Sequence, residues 1–206
     1  MSLLSPPKLR VAFLAAACTA ALGFARPAAA DTLIIDRPGA HPHYRFEAEP
    51  HLLLGFIDPP GHAQGSGYGA GFRGTFEIVD NGFIGKINNT VGIGLGVDFV
   101  HYSRGQSRCV RRDTVDQCAA FDDDFTVDNV WVPVVMQWNF WLSRNWSVFG
   151  EPGTALRFQS GEGVKNEFHI EPLQMFVGGR FHFSDTFALT MRMGYPTFSI
   201  GTSFLL

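Results

Sequence analysis

Apolar and polar residues alternate one by one along most of the sequence between Tyr44 and Leu206. The stretch 91–99, VGIGLGVDF, shows the pattern plainly, with large apolar residues at odd positions and glycine or aspartate at even ones. Successive side chains of a β-strand point to opposite faces, so this period predicts strands with two different sides. Eight such segments predict an all-β fold: 44–56, 68–78, 91–99, 130–142, 146–158, 168–183, 187–193 and 198–206.

The apolar side chains of these segments are too bulky to fit inside a small barrel. The chain has 20 Phe, and the interior of an eight-stranded soluble barrel is just wide enough for ordinary side chains. Facing lipid, the same rings have room, and most segments reach the roughly 9–11 residues that a tilted transmembrane strand needs. Because lipid offers no hydrogen bonds, such strands must close into a ring. We therefore expect an eight-stranded antiparallel up-and-down transmembrane β-barrel over residues 43–206; alternation alone leaves a soluble barrel or sandwich open.

The opposite side of the segments carries small residues and a balanced set of charges. Five basic residues stand against five acidic ones, which suits a confined polar lumen where an unpaired charge is costly. The expected lumen charge network, which would plug the barrel, is Arg45, Glu47, Glu49, Arg73, Glu77, Asp98, Glu151, Arg157, Arg180 and Arg192.

Short and long connections are expected to alternate between the two ends of the barrel. With the N-terminus in the periplasm, the segments 143–145 and 184–186 become short inner turns. The connections 57–67, 101–129 and 159–167 become longer outer loops, which is the asymmetry of transmembrane barrels. The connection 79–90 is long for an inner turn and departs from this rule.

The first thirty residues have the layout of a cleaved signal peptide. A short basic region precedes an apolar run, and Ala28 and Ala30 offer the small-x-small cleavage pattern before Asp31. Residues 1–30 are thus a signal peptide and residues 31–42 a lead-in segment. The alternative interpretation is lipidation at Cys18. It is disfavoured because the residues before it are Ala15, Ala16 and Ala17, without the Leu usually found three positions upstream of a lipidated cysteine.

Export bears on the two remaining cysteines, Cys109 and Cys118. In an oxidising compartment they are expected to form a disulfide, worth roughly 2–3 kcal/mol for so short a loop. The overall charge, 16 basic against 19 acidic residues, gives no electrostatic basis for binding nucleic acid.

The C-terminal segment SIGTSFLL resembles the C-terminal signature of bacterial outer-membrane β-barrels. Ser199, Gly201, Phe204 and Leu206 fall on its polar, glycine, aromatic and hydrophobic positions, although the terminal residue is Leu where Phe is commonest. The whole chain resembles the small eight-stranded barrels of the OmpA/OmpX type. The resemblance implies export, insertion into the bacterial outer membrane by the barrel-assembly machinery and a plugged or narrow lumen, and it implies no single activity. We expect contact with the lipid bilayer and lipopolysaccharide, a monomer, and no cofactor.

Three constellations could carry chemistry, and each has a simpler interpretation. The stretch from His182 to Ser184 resembles the His-x-Ser pair of lipid A deacylases, but no acid completes it and we expect no catalytic residue. The glycine run 92–96 is better explained as lumen glycines facing large Arg side chains than as a phosphate loop. The histidines are scattered, His41 and His43 being the only close pair, so no metal site is expected.

The loop between Cys109 and Cys118 and its flanks are polarised. Basic residues (Arg104, Arg108, Arg111, Arg112) stand on one side and acidic ones (Asp116, Asp122, Asp123, Asp124, Asp128) on the other. The sequence therefore favours a structural or surface-interaction role: membrane integrity, adhesion or lipopolysaccharide contact. A narrow pore is the alternative, and a lipid A-modifying hydrolase is the second.

Overall fold

The computed structural model describes residues 32–105, 108–112, 117–122, 125–161 and 164–206. The expected signal peptide, residues 1–30 with Cys18, lies outside the described residues. Within them the strands are β1 (Phe46–Gly55), β2 (Ala63–Val79), β3 (Asn89–Gly105), β4 (Arg108–Arg112), β5 (Cys118–Asp122), β6 (Val127–Trp141), β7 (Trp146–Gly161), β8 (Val164–Ser184), β9 (Phe187–Gly194) and β10 (Thr197–Leu205). In the described part of the chain, no helix has the length and apolar character of a transmembrane helix.

Among the described residues, eight strands close into one antiparallel ring in the order β1-β10-β9-β8-β7-β6-β3-β2. The last strand pairs with the first, with Leu52 opposite Ile200. The ladder runs to the final residue, since the Arg45 amide donates to the Leu206 carbonyl at 2.8 Å. The expected all-β, up-and-down barrel is confirmed.

The apolar sides of the strands face outward. On β3, Ile93, Leu95 and Val97 are 44–52 % exposed, whereas Asp98 is 5 % exposed. The same alternation recurs around the ring. The outer surface is therefore an apolar belt that surrounds a polar lumen. This is the arrangement of a transmembrane barrel and the reverse of a soluble one.

Aromatic rings line the inner end of the belt, as expected for residues at a membrane interface. Phe181 contacts both Trp146 and Phe183, with ring centroids 5.0 Å apart in each pair. The row continues from Phe183 through Phe187 to Phe204. These rings lie where β7 and β9 begin and where β8 and β10 end.

The alternation along β8 changes phase in the middle of the strand. Phe168 and Ile170 are exposed in its first half, but Leu173, Met175 and Val177 are exposed in its second half. The register shows the cause: Gly153 of β7 pairs with Gln174 whereas Ala155 pairs with Glu171, so β8 carries one extra residue there. Such a bulge reverses which parity faces outward, which explains the irregular pattern in this part of the sequence.

Several connections differ from expectation, among them the predicted outer loop 57–67, because β2 already begins at Ala63. The predicted outer loop 159–167 is mostly strand, because β7 continues to Gly161 and β8 begins at Val164. The long inner connection 80–88 packs against the lead-in segment, where the Asn88 amide donates to the Ile35 carbonyl at 2.7 Å. Its length therefore serves the closure of the inner mouth. The predicted loop 101–129 contains the β4–β5 hairpin.

We expect Leu95→Arg to destabilise the barrel by about 2–4 kcal/mol, because it places a cation in the middle of the apolar belt. Unfolding by urea from phospholipid vesicles measures the change. Leu33→Arg is the matched control, since Leu33 is 65 % exposed but lies in the lead-in segment, outside the barrel strands. An equal loss in both variants would contradict the outward orientation of β3.

Candidate functional site

The barrel interior is organised around Arg192 on β9. Its guanidinium donates to both carboxylate oxygens of Glu49, each at 2.7 Å, and to both of Glu151, at 2.8 and 3.1 Å. All three side chains are at most 2 % exposed. Two-pronged Arg–carboxylate pairs are the strong, geometrically specific kind of ion pair, so this triad ties β1, β7 and β9 together across the lumen.

Arg73 on β2 extends the cluster to the other side of the ring. It donates to Glu151 at 2.7 Å and to Asp98 of β3 at 3.2 Å. Asp98 also meets Nε2 of His51 at 2.8 Å. A Cβ at Gly71 would clash with both Asp98 and His51, so glycine is required where these two side chains meet.

His51 of β1 lies between two acidic side chains of the cluster. Its Nε2 faces the Asp98 carboxylate, while Nδ1 lies 3.2 Å from the Glu49 carbonyl and 3.5 Å from the Glu49 carboxylate. Both ring nitrogens therefore face oxygen atoms, and the imidazole bridges β1 and β3 inside the lumen.

Arg180 on β8 forms the second centre, closer to the inner end. It donates to both carboxylate oxygens of Glu47, at 2.8 and 3.0 Å, and to the amide oxygen of Asn139 at 2.7 Å. The Ser203 hydroxyl donates to Glu47 at 2.6 Å. The guanidinium also lies over the ring of Phe149, 4.2 Å from its centroid, which adds a cation–π contact.

Neutral polar side chains complete the network. Gln137 donates to Glu151 at 2.9 Å, and Asn139 donates to Gln137 and Thr90 at 3.2 Å. With these residues, every strand of the ring contributes a polar side chain to the interior. The lumen is therefore a polar core cross-linked between strands on all sides of the ring.

The structure buries eight of the ten expected lumen charges, leaves Glu77 half-buried at the inner mouth and exposes Arg45. Glu47, Glu49, Arg73, Asp98, Glu151, Arg157, Arg180 and Arg192 are buried. Arg45 is exposed and precedes β1, so the alternation that places Glu47 inside does not extend to it. Glu77 lies at the inner mouth, beside the register shift between Glu77 and Val79.

Arg157 is buried but separate from the other pairs. It donates to Glu171 at 3.0 Å and lies over the ring of Trp131. Sequence reasoning missed Glu171 because the β8 bulge follows it and changes the parity. It also missed His51 as a partner, although His51 shares a face with Glu47 and Glu49 in the alternation.

The lead-in segment closes the inner mouth. The Ile34 amide donates to the Leu142 carbonyl at 2.9 Å, and Ile34 packs in a buried cluster with Tyr44, Trp141 and Leu205. Burial first, and the Glu47 carboxylate second, raise the pKa of the Tyr44 phenol. The inner end is sealed by apolar packing.

A second apolar cluster closes the lumen toward the outer end. Its buried members are Leu53, Ala63, Val100, Tyr102, Phe125 and Val127. The outer connection between β1 and β2 is held beside it, because Gln159 donates to the Pro60 carbonyl at 3.0 Å and accepts from the His62 amide at 3.1 Å. The ion-paired core thus lies between two apolar layers.

For the His-x-Ser stretch and the glycine run, the structure agrees with the simpler interpretation of each. His182 is buried and its Nε2 lies 2.8 Å from the Ser147 hydroxyl, whereas Ser184 is exposed and faces Thr186. The residues of the His-x-Ser stretch are therefore not brought together. In the glycine run, a Cβ at Gly96 would come within 3.1 Å of Nε of Arg73, as expected for a glycine that makes room for a large cation, whereas a Cβ at Gly94 would press on Val135 and Thr75.

The outer hairpin contains the disulfide between Cys109 of β4 and Cys118 of β5, with Cα atoms 5.7 Å apart. Arg104 and Arg111 are exposed. Asp116, Asp123 and Asp124 of the predicted acidic group lie outside the described residues, and Asp128 bonds His101 at 2.7 Å.

The four C-terminal signature residues lie in or directly after β10. Phe204 and Leu206 face outward, 42 and 68 % exposed, and Ser199 faces the lumen. Gly201 lies against His51, where a Cβ would clash with the backbone and side chain of β1.

No protein-family model matches the sequence, and no curated protein matches it. Among solved structures, the barrel is similar to Ail, the attachment invasion locus protein of Yersinia pestis, in complex with the heparin analogue sucrose octasulfate: 12 % identity over 80 % of this chain and 99 % of that one, TM-score 0.49. It is also similar to Neisserial surface protein A, at 10 % identity over 79 % and 97 % of the two chains, TM-score 0.46. The fold is defined by this chain's own strand pairing.

We expect Arg192→Met to lower the free energy of unfolding by about 3–5 kcal/mol, because it leaves Glu49 and Glu151 buried without their shared cation. Adding Glu49→Gln should recover part of the loss. Unfolding in detergent or vesicles measures both.

The matched control is Arg45→Met, which removes an exposed arginine outside the network and should change stability by no more than about 0.5 kcal/mol. Equal losses in the two single variants would show that the Arg192 pairs do not hold the barrel together.

Proposed function

We propose that this protein is an exported bacterial outer-membrane β-barrel whose role is structural and surface-interactive. The observation that carries the proposal is the sealed lumen, in which Arg73, Arg180 and Arg192 are paired with buried carboxylates. A barrel with a filled lumen does not conduct through its interior. Its function would therefore depend on what its lipid-facing surface and its outer end bind.

The placement in the outer membrane follows from three independent features. The apolar belt needs a hydrocarbon surround, the N-terminal layout predicts export, and the C-terminal strand carries the residues of the assembly signature, which the barrel-assembly machinery would recognise. The closed hydrogen-bonded ring leaves no edge for pairing with a second copy, which supports a monomer.

A narrow pore is the weaker alternative because three successive layers obstruct the lumen. The inner cap, the ion-paired core and the outer apolar cluster are each buried. The case for a hydrolase that acts on lipid A is weaker than the case for a pore. A serine nucleophile needs an adjacent base with an orienting acid, and the buried His182 contacts Ser147 at the inner end, away from the outer leaflet.

The outer hairpin supports contact with lipopolysaccharide. Guanidinium groups pair well with phosphate, and Arg104 and Arg111 are exposed near the disulfide. In sequence they are joined by Arg108 and Arg112. The exposed Arg104 at the end of β3 and Arg111 in the disulfide-closed hairpin would offer cationic groups to lipid A phosphates at this end of the barrel.

In planar bilayers we expect the purified protein to show no steady conductance, because the lumen is filled. Protease protection of the inserted protein verifies that the bilayer contains it. A steady, reproducible conductance at ordinary ionic strength would contradict the sealed lumen and favour the pore.

Replacing Arg104, Arg108, Arg111 and Arg112 together by Ala should weaken binding to lipopolysaccharide by at least about tenfold, equivalent to about 1.4 kcal/mol. Binding to immobilised lipopolysaccharide at increasing salt measures the change. The matched control replaces Arg37, Arg45 and Arg144, which are exposed arginines at the inner end. Unchanged binding in the hairpin variant, or equal loss in the control, would dispose of the proposed contact.

A further inference from the structure

Two histidines, one at the end of the lead-in segment and one directly after it, meet an aspartate of the β2–β3 connection at the inner mouth. Nδ1 of His43 lies 3.0 Å from the Asp80 carboxylate, and Nε2 of His41 lies 3.9 Å from the same oxygen. The nearest ligand-type atoms of the three side chains all fall within 4.8 Å of one another. We propose that His41, His43 and Asp80 form a binding site for a divalent transition-metal ion, with zinc as the ion that fits best.

The chemistry of the donor set favours zinc over calcium or magnesium. Two imidazoles with one carboxylate form a nitrogen-rich set, and Zn²⁺ takes such ligands at about 2.0–2.2 Å in tetrahedral geometry. Hard cations instead prefer oxygen ligands throughout. Tetrahedral zinc places its ligand atoms about 3.3 Å apart, close to the separations of 3.0 and 3.9 Å around Asp80. His43 is exposed, so rotation of its side chain can close the remaining gap.

His41 is held as a metal ligand is usually held. Its side chain is fully buried and stacks on Trp141, with centroids 5.5 Å apart and planes at 20°. Nδ1 lies 3.1 Å from the Pro42 carbonyl, and metal-bound histidines commonly donate their second N–H to such an acceptor. Nε2 lies 3.0 Å from the Asp80 carbonyl. A neutral ring has one N–H, so one of the two nitrogens turns its lone pair toward a carbonyl. Zinc binding at Nε2 requires the tautomer in which Nδ1 donates to the Pro42 carbonyl.

Glu77 offers a further ligand beside the first three. It lines a cleft of about 500 Å³ together with His43 and Asp80. Its Oε2 is buried and meets no hydrogen-bond donor among the described residues. With three protein ligands, a fourth position remains for water or for this carboxylate.

A bound ion at this place would fasten the inner cap. His41 belongs to the lead-in segment and His43 directly follows it, whereas Asp80 follows β2 at the start of the inner connection. Zinc would therefore add a cross-link to the backbone hydrogen bond from Asn88 to Ile35, which also joins the lead-in segment to that connection. Binding to the folded state alone also raises its stability in proportion to the logarithm of the zinc concentration.

The test uses the untagged full mature chain, folded in detergent and stripped with a chelator. Titration with Zn²⁺, followed by calorimetry, should show one site, and Co²⁺ should give the visible absorption of a tetrahedral complex. His43→Ala and Asp80→Asn should each weaken zinc binding at least about 100-fold, since even outer partners of metal ligands are worth 10–100-fold. Heat-modifiability on a gel verifies that each variant is folded.

The matched control is the double variant His62→Ala with His169→Ala. These histidines flank the Glu167 carboxylate, at 3.5 and 3.0 Å, in the outer part of the structure. The control should bind zinc as the unaltered protein does. Absence of a zinc site in the unaltered protein, unchanged affinity in His43→Ala and Asp80→Asn, or equal loss in the control would each overturn the proposal.

Discussion

A charge removed from water needs a counter-charge, and the interior of this barrel is organised around that requirement. The backbone ladder joins each strand only to its two neighbours. Several of the buried ion pairs join strands that are not neighbours: Arg180 of β8 reaches Glu47 of β1, and Arg73 of β2 reaches Glu151 of β7. Glu151 accepts from two arginines, so breaking one pair disturbs the next, and the lumen behaves as a single polar core.

The orientation of the strands could be predicted from sequence because it depends on local periodicity and on volume. The parity of β3 is unbroken from Ile93 to Phe99, and all four apolar members are exposed. Parity fails where the ladder is irregular. The extra residue in β8 reverses the faces after Glu171, and Arg45 lies before β1 begins. A bulge or a strand end depends on pairing with the neighbouring strand, which one sequence does not reveal.

The partners within the interior were less predictable than its members. Composition and alternation placed Glu49 and Arg192 on lumen faces, but they are 143 residues apart in sequence. Their meeting depends on the stagger of the closed ring. The same holds at the inner mouth, where His43 and Asp80 are 37 residues apart. The two histidines, separated by one proline, do not by themselves predict a metal site. The third candidate ligand, the Asp80 carboxylate, comes from a connection that is distant in sequence and lies over the inner mouth.

The length of β7 and β8 has a consequence for the exterior of the cell. β8 has 21 residues, about twice the number that a tilted strand needs to cross a bilayer. In the proposed membrane placement, its first half continues into water as paired sheet, where Phe168 and Ile170 are exposed. Proteases cut most readily at exposed flexible tips, and paired strands offer few. In this placement the segment is held in paired sheet, so an antibody raised against the corresponding linear peptide would find its epitope in a different conformation. Antibodies that bind intact bacteria here would therefore be expected to recognise conformational epitopes.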